Sequence, residues 1–272
     1  MSIWILLFIV LFVLIFLTHP SLNYGKCRRW RGAQFAHRGL HDGNVTVVEN
    51  TLPAFEAARD AGFGMEFDIQ FTQDGQVVVF HDDDLLRLTG DPRKVRQVTL
   101  AELRSIPLAG VDAARVPTLR ELLDCVNGRT PLLIELKSGR RNAALCRALM
   151  EHLEGYPGEY IVESFNPLIV AWFRLHAPDI VRGQLVCPIS GYRPAVNGLA
   201  GFAMAFLLGN CLARPDFVAY DANAPRFFTP HYQRFLFHTP LAAWTVRDNR
   251  LAGLVTERGE MNIFEGQGRI RE

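Results

Sequence analysis

Hydrophobic and polar residues follow two regimes along this chain. From Ile3 to Leu17 every residue is apolar, and with Met1, Ser2 and Thr18 the run reaches about 18 residues, near the lower limit for a helix that spans a bilayer. No basic side chain precedes the run, whereas Lys26, Arg28, Arg29 and Arg31 follow it. An excess of basic residues on that flank puts the rest of the chain on the cytoplasmic side of a cell membrane. A cleaved signal peptide is the rival reading, but there is no basic leading region, and Thr18-His19-Pro20 offers no small-x-small cleavage site. The expectation is a single-pass transmembrane anchor over 1–20, a basic juxtamembrane linker over 21–32 and one folded domain over 33–272.

In that domain short apolar segments alternate with longer amphipathic ones. Gln34–His37 reads as a strand, and Asn50 or Thr51 can cap a helix to about Ala61, with Pro53 tolerated in its first turn and Gly62 and Gly64 ending it. Glu66, Asp68 and Gln70 then alternate with Met65, Phe67, Ile69 and Phe71, which sets three polar side chains on one face of a strand. A hairpin centred on Asp74-Gly75 would put Asp68 opposite His81. Asp83–Arg96 is polar and reads as a surface excursion, while Leu100–Ser105, capped by Thr99, and Leu119–Val126 read as helices. Pro131–Leu136 is a strand delivering Glu135 and Lys137 at its end. Asn142–Leu153 (helix), Tyr160–Phe165 (strand), Pro167–His176 (helix) and Val181–Val186 (strand) continue the rhythm. Strand, helix, strand in turn predicts a parallel sheet, and the length suits one α/β barrel of about 250 residues.

Two stretches break the rhythm. Leu241–Val246 and Gly253–Thr256 both read as strands, yet only Arg247–Ala252 lies between them, too little for a parallel crossover; either one of the two is not a barrel strand, or the last helix is missing and the barrel closes irregularly. Pro194–Ala213 is uncharged, and Leu199–Leu208 is mostly apolar on every face if drawn as a helix. A second membrane span there would split the domain across the bilayer. The remaining readings are an outer helix packed on the sheet, or a segment whose Phe202, Phe206 and Leu207 touch the membrane.

Composition adds little. A formal net charge of +1 gives no hint of nucleic acid, and five cysteines without a C-x-x-C pair indicate neither a disulfide framework nor a zinc site.

The chemistry concentrates in Phe35–Asp82, where His37, His81, Arg38 and several carboxylates stand beside short strands. Paired acids on a strand are usually solvated, and a lone histidine at a strand end is usually a structural hydrogen-bonder. An inward acid on an apolar strand, however, needs a partner, and a hard cation such as Mg²⁺ or Ca²⁺ accepts such oxygens. Two histidines near neutral pKa suit proton transfer.

The motifs His37-Arg38-Gly39, Glu49-Asn50-Thr51, Glu66-x-Asp68, Thr72-x-Asp74-Gly75 and His81-Asp82, followed by Ile134-Glu135-Leu136-Lys137, Ser164-Phe165 and Trp244-Thr245-Val246, resemble in order those of the glycerophosphodiester phosphodiesterases. The resemblance covers nearly all of residues 33–257. It implies a TIM-type (β/α)8 barrel and metal-dependent hydrolysis of glycerophosphodiesters to sn-glycerol 3-phosphate and an alcohol. It implies Glu66, Asp68 and Glu135 as ligands of Mg²⁺ or Ca²⁺, His37 and His81 as acid and base in either order, and Arg38, Lys137 and Trp244 as substrate-binding residues, with Glu49 and Phe165 behind them. Glu257 stands near the position where the family's aspartate is expected. Lysophospholipase D activity on membrane lysophospholipids, or a non-catalytic membrane-anchored binding barrel, are the alternatives.

Overall fold

The computed structural model describes residues 2–21, 23–192, 196–224 and 226–266. The strands are β1 (Gln34–His37), β2 (Gly64–Phe71), β3 (Val77–Val79), β4 (Leu132–Leu136), β5 (Tyr160–Ser164), β6 (Arg182–Val186), β7 (Phe217–Asp221), β8 (Leu241–Val246) and β9 (Met261–Phe264). The helices are α1 (Ile3–Thr18), α2 (Leu52–Asp60), α3 (Leu86–Thr89), α4 (Leu100–Ser105), α5 (Leu119–Val126), α6 (Asn142–Leu153), α7 (Pro167–His176), α8 (Gly198–Ala205), α9 (Asn210–Ala213), α10 (Thr229–Phe237) and α11 (Asn249–Glu257). All strands except β3 run parallel in the order β1-β9-β8-β7-β6-β5-β4-β2. β1 also pairs with β2, which closes an eight-stranded barrel, and β3 lies antiparallel on the edge of β2.

Alternation along the strands sorts their side chains. Phe35, Leu133, Ile161, Leu185, Phe217, Ala242 and Ile263 form a buried cluster inside the barrel, capped at its N-terminal pole by Trp30 from the 24–30 turn. Ala36, Ile134, Val162, Val186, Val218 and Ala243 belong to the second cluster, between sheet and helices. Gly183 makes room for the Phe217 ring, which a Cβ at that position would strike. In register, the interior changes character from one layer to the next. Leu133 and Ile161 are partners one step below, and above them Glu135 pairs with Glu163 and with Asp68, while His37 pairs with Glu66. The apolar layer holds the barrel together, and the polar layer lies toward the C-terminal pole, where barrels of this kind carry their chemistry.

At the C-terminal closure the second of the two candidate strands is not a strand: a helix fills the last crossover, and β9 closes the barrel between β8 and β1, with a register shift in the β8–β9 pair between Ala243 and Val246. Gly253–Thr256 is helical, within α11, with the Asp248 side chain accepting from Leu251 N at 2.9 Å as its cap. Ala252 and Val255 are buried at helical spacing, and the last strand is β9. The β2–β3 register also differs by one residue. Thr72 pairs with Gln76 through Thr72 N to Gln76 O at 3.0 Å, leaving a three-residue loop with Gly75 at φ 81°. Asp68 therefore faces Phe80 rather than His81, its carbonyl accepting from Phe80 N at 3.0 Å.

The 83–117 excursion has its own small core of Phe80, Leu85, Val95, Val98, Leu103 and Leu108. Helix α8 packs Ala205 against Cys187 and Tyr192, and Leu207 beyond it is buried, whereas Leu199 and Phe202 are exposed. Pro194 and Ala195, at the start of the uncharged stretch, lie outside the described residues.

The spanning anchor is also corrected. α1 ends at Thr18 because His19 and Pro20 turn extended, and its 16 residues rise about 24 Å, short of the roughly 30 Å hydrocarbon core. Among the described residues no helix is long and apolar enough to cross a membrane.

Candidate active site

The fold brings the acids of β2, β4 and β5 together with the ends of β1 and β9. Glu66, Asp68 and Glu135 are buried, and each offers one oxygen within 4.8 Å of the others. Lys137 Nζ lies 2.8 Å from Asp68 Oδ1 and 2.8 Å from Glu135 Oε1. Asn50 Nδ2 donates to Asp68 Oδ2 at 2.9 Å. Lys137 thus grips two of the three acids.

The His37-Arg38-Gly39 turn is shaped by backbone geometry. Arg38 adopts a left-handed φ of 59° and Gly39 one of 81°, and a Cβ on Gly39 would lie 2.8 Å from the Ala54 backbone. That tight turn directs Arg38 N toward Glu66 Oε2 at 3.1 Å, and its guanidinium toward Glu49 Oε1 at 2.7 Å. Glu49 also accepts from Arg87 and Asn44, so it fixes Arg38 in place.

His37 Nδ1 meets Glu265 Oε1 at 2.5 Å, and its Nε2 is 3.9 Å from Glu66 Oε2. Burial lowers the His37 pKa to about 4 even though Glu265 opposes it. Burial alone would raise the Glu265 carboxyl, but its hydrogen bonds from His37 and Arg247 hold it down to about 2. His81 Nδ1 meets Asp82 Oδ1 at 2.6 Å. Gln70, third on the polar face of β2, donates to Phe80 O and Asp82 O at 2.8 Å and so secures that segment.

Burial and the neighbouring carboxylates push Glu66 well above the usual carboxylate range. Burial opposes ionisation of Asp68 too, yet Lys137, His81 and Arg38 keep it well below that range. Glu163, which the sequence reading missed, is 2% exposed and its Oε2 has no hydrogen-bond partner. Burial, with Glu135 and Asp68 nearby, drives its pKa well up, toward the neutral form. The signal was present in Tyr160-Ile-Val-Glu-Ser164, an acid inside an otherwise apolar strand.

Glu265 was missed because the last strand was placed too early. Glu257, considered in its stead, is exposed on α11. His37, Arg38, Glu66, His81, Glu135, Glu163, Phe165, Trp244 and Glu265 line one cavity of about 440 Å³. Trp244 meets Phe165 edge-on at 5.8 Å, and its indole N–H is without a partner. Lys137 borders the adjoining cavity beside His81 and Phe165.

Such a set of buried oxygens suits a hard divalent cation rather than zinc. Crowding of four carboxyl groups, three of them (Glu66, Glu135 and Glu163) pushed toward the neutral form, is the repulsion such an ion would relieve.

Comparison with known proteins gives concordant results. Residues 37–263 match the profile of the glycerophosphoryl diester phosphodiesterase family. A glycerophosphodiester phosphodiesterase of Caldanaerobacter subterraneus is 32% identical over 55% of this chain and 65% of its own length. One from Bacillus altitudinis is 32% identical over 60% and 76%. Human glycerophosphodiester phosphodiesterase 1 is 31% identical over 64% and 56%. The chain thus spans just under two thirds of the first of these relatives and about half of the human one. Among solved structures, a putative glycerophosphoryl diester phosphodiesterase from Silicibacter pomeroyi aligns with a TM-score of 0.69 at 24% identity, covering 89% of this chain and 94% of that one. An Oleispira antarctica phosphodiesterase, solved in complex with the product sn-glycerol-3-phosphate, aligns with a TM-score of 0.67 at 23% identity, covering 87% and 94%. These two likenesses support the barrel fold.

Proposed function

We infer that this chain, which belongs to the glycerophosphoryl diester phosphodiesterase family, is a phosphoric diester hydrolase that cleaves glycerophosphodiesters to sn-glycerol 3-phosphate and an alcohol. The observation that carries the reading is the convergence of Glu66, Asp68 and Glu135 oxygens within 4.8 Å, in a cavity shared with His37 and His81. Glu66, Asp68 and Glu135 would hold Mg²⁺ or Ca²⁺, which when bound polarises the phosphoryl group and offsets its charge.

The residues themselves supply positioning and proton transfer. With the Nδ1 proton given to Glu265, neutral His37 presents the Nε2 lone pair as a general base. His81, its Nδ1 tied to Asp82, has its other nitrogen left to protonate the departing alkoxide. Arg38 and Lys137 stabilise the phosphodiester's negative charge. Glu163, whose carboxyl is pushed toward the neutral form by burial and the neighbouring acids, and Trp244 line the same cavity.

The α1 helix, apolar all round, is read as entering the apolar layer of a membrane from one side, and the basic residues after it support a reading in which the barrel sits at the cytoplasmic face of the cell membrane. A second reading, lysophospholipase D activity, is favoured by exposed Leu199 and Phe202 on α8, whose Ala205 packs in the cluster that Phe165 and Trp244 of the cavity also join, where an acyl chain would find apolar contact.

The test is release of sn-glycerol 3-phosphate by the purified chain from a panel of glycerophosphodiesters and lysophospholipids, with and without Mg²⁺ or Ca²⁺. No product from any of them, with either cation, would sink the reading.

A further inference from the structure

Helix α1 is fastened at one end only. Its last turn is held by Asn210 Nδ2 and Gln233 Nε2, which donate to Thr18 O at 3.0 and 2.9 Å. Arg214 Nη1 donates to Phe16 O at 3.2 Å and to His19 O at 2.7 Å, with its guanidinium 5.1 Å from the Phe16 ring centroid. The His19 ring packs on Phe237 at 5.0 Å. Beyond that turn the apolar side chains stand bare, Trp4 at 76% exposure and Phe12 at 62%. Leaving such an area in water is costly, at about 25 cal/mol per Å².

A cleft of about 480 Å³ lies where this helix meets the barrel, between Phe12, Ile15 and Phe16 on one wall and Arg174, Arg182 and Arg214 on the other. The arginines are unevenly satisfied. Arg182 is paired with Asp216 at 3.2 Å. Arg174 donates to Cys211 O and Leu212 O, and Arg214 to the α1 carbonyls; among the described residues neither forms an ion pair with a carboxylate. Burial and the nearby Arg174 both act against the charge on Arg214. Two guanidiniums without counter-ions beside an apolar wall match an amphiphile whose phosphate takes the N–H donors and whose chain follows α1. A free phosphate ion would leave that wall unused.

We propose that this cleft binds the phosphate headgroup of an anionic phospholipid, so that the protein docks on a bilayer by the N-terminal pole of its barrel. Arg182 is the first residue of β6, Asp216 immediately precedes β7, and Arg174 is in the last turn of α7, which places the cleft at that pole. Arg28, Arg31 and Arg258 line a second cavity, of about 570 Å³, at the starts of β8 and β9, where Arg234 is paired with Glu260; the cavity adds net positive charge to the same face. His37, Glu135 and Glu265 lie at the strands' other ends, so the catalytic mouth points away from the lipid. The proposal rests on the reading that α1 enters a bilayer and adds to it the headgroup class and the orientation.

The test is flotation of the full chain with vesicles of phosphatidylcholine alone, or of phosphatidylcholine mixed with phosphatidylglycerol. Phosphatidylglycerol should strengthen binding about tenfold, with the gain falling as salt rises. Arg174→Glu, on an exposed side chain, should bring binding back to the phosphatidylcholine level while leaving hydrolysis of a water-soluble glycerophosphodiester intact; Arg214→Gln should act likewise. Because Arg214 also fastens α1, Arg174→Glu decides if Arg214→Gln fails to fold. Equal binding to both vesicles would leave the insertion of α1 standing and overturn the headgroup site. So would unchanged binding by Arg174→Glu. Failure to bind either vesicle would overturn both, without touching the hydrolase reading.

Discussion

His37 Nδ1 and Glu265 Oε1 lie 2.5 Å apart, which joins the last residue of β1 to the residue that follows β9, 228 positions later in the chain. A single contact thus couples the closure of the barrel to the orientation of the His37 ring.

Glu265→Gln should therefore lower kcat by about 10-fold to 100-fold with KM nearly unchanged, because an amide can still hold the ring but no longer enforces Nδ1 protonation. Steady-state kinetics on a soluble glycerophosphodiester decide it. A kcat equal to that of the native chain would remove Glu265 from the mechanism.

Chelation should abolish turnover, and Mg²⁺ or Ca²⁺ should restore it. Added cation should also raise the melting temperature of the chelated protein, since a ligand that binds only the folded state stabilises it by mass action. Glu66→Gln, Asp68→Asn and Glu135→Gln should each lose both responses and still fold. A cation-induced thermal shift that persists in all three variants would place the ion elsewhere.

The pH dependence of stability carries a sign set by His37. Its folded pKa, about 4, lies below the unfolded value near 6.5. Between these values the unfolded chain binds a proton that the folded ring refuses. The contribution of this group is thus complete above pH 6.5 and lost as pH falls through 4, by about 3 kcal/mol. Urea unfolding in chelator at pH 7 and pH 4.5, for the native chain and His37→Gln, isolates that contribution from the acids around it. An identical pH change in the two proteins would contradict it.

Gly39→Ala should destabilise the fold by about 1–3 kcal/mol, since the new Cβ would meet the Ala54 backbone at 2.8 Å from a residue at φ 81°. The lost turn should also depress activity, because Arg38 N leaves Glu66. Denaturant midpoints measure the first effect. A midpoint unchanged from the native chain would show that the turn tolerates a side chain.

Much of the barrel was legible because each segment carried its own punctuation. The Pro167–His176 helix begins with Asn166 and a proline and ends near Pro178, and the β2 acids alternate strictly with apolar residues. Where local signals pointed the wrong way, tertiary packing decided. Gly253–Thr256 holds valine and threonine, which favour strands, but burial of Ala252 and Val255 against the sheet, with Asp248 as cap, made it helical. That one error hid Glu265, since the residue gains meaning only when β9 is in place. The hairpin slip arose from assuming an even loop where Gly75 supports an odd one. The site motifs were readable in the sequence, whereas the fourth carboxyl group, Glu163, required knowing that β5 lies beside β4.

Barrel closure by β9 also has a consequence for the order of events during synthesis. A nascent chain that has emerged through α11 already contains Glu66, Asp68, Glu135 and both histidines, but β1 lacks its partner on one side and His37 lacks Glu265. Helix α1 leaves the ribosome ahead of the barrel. On the reading above, the growing chain can reach lipid while still unable to hydrolyse anything, and activity begins only when the final strand docks. A chain broken off before Met261 would be a tethered but inert fragment.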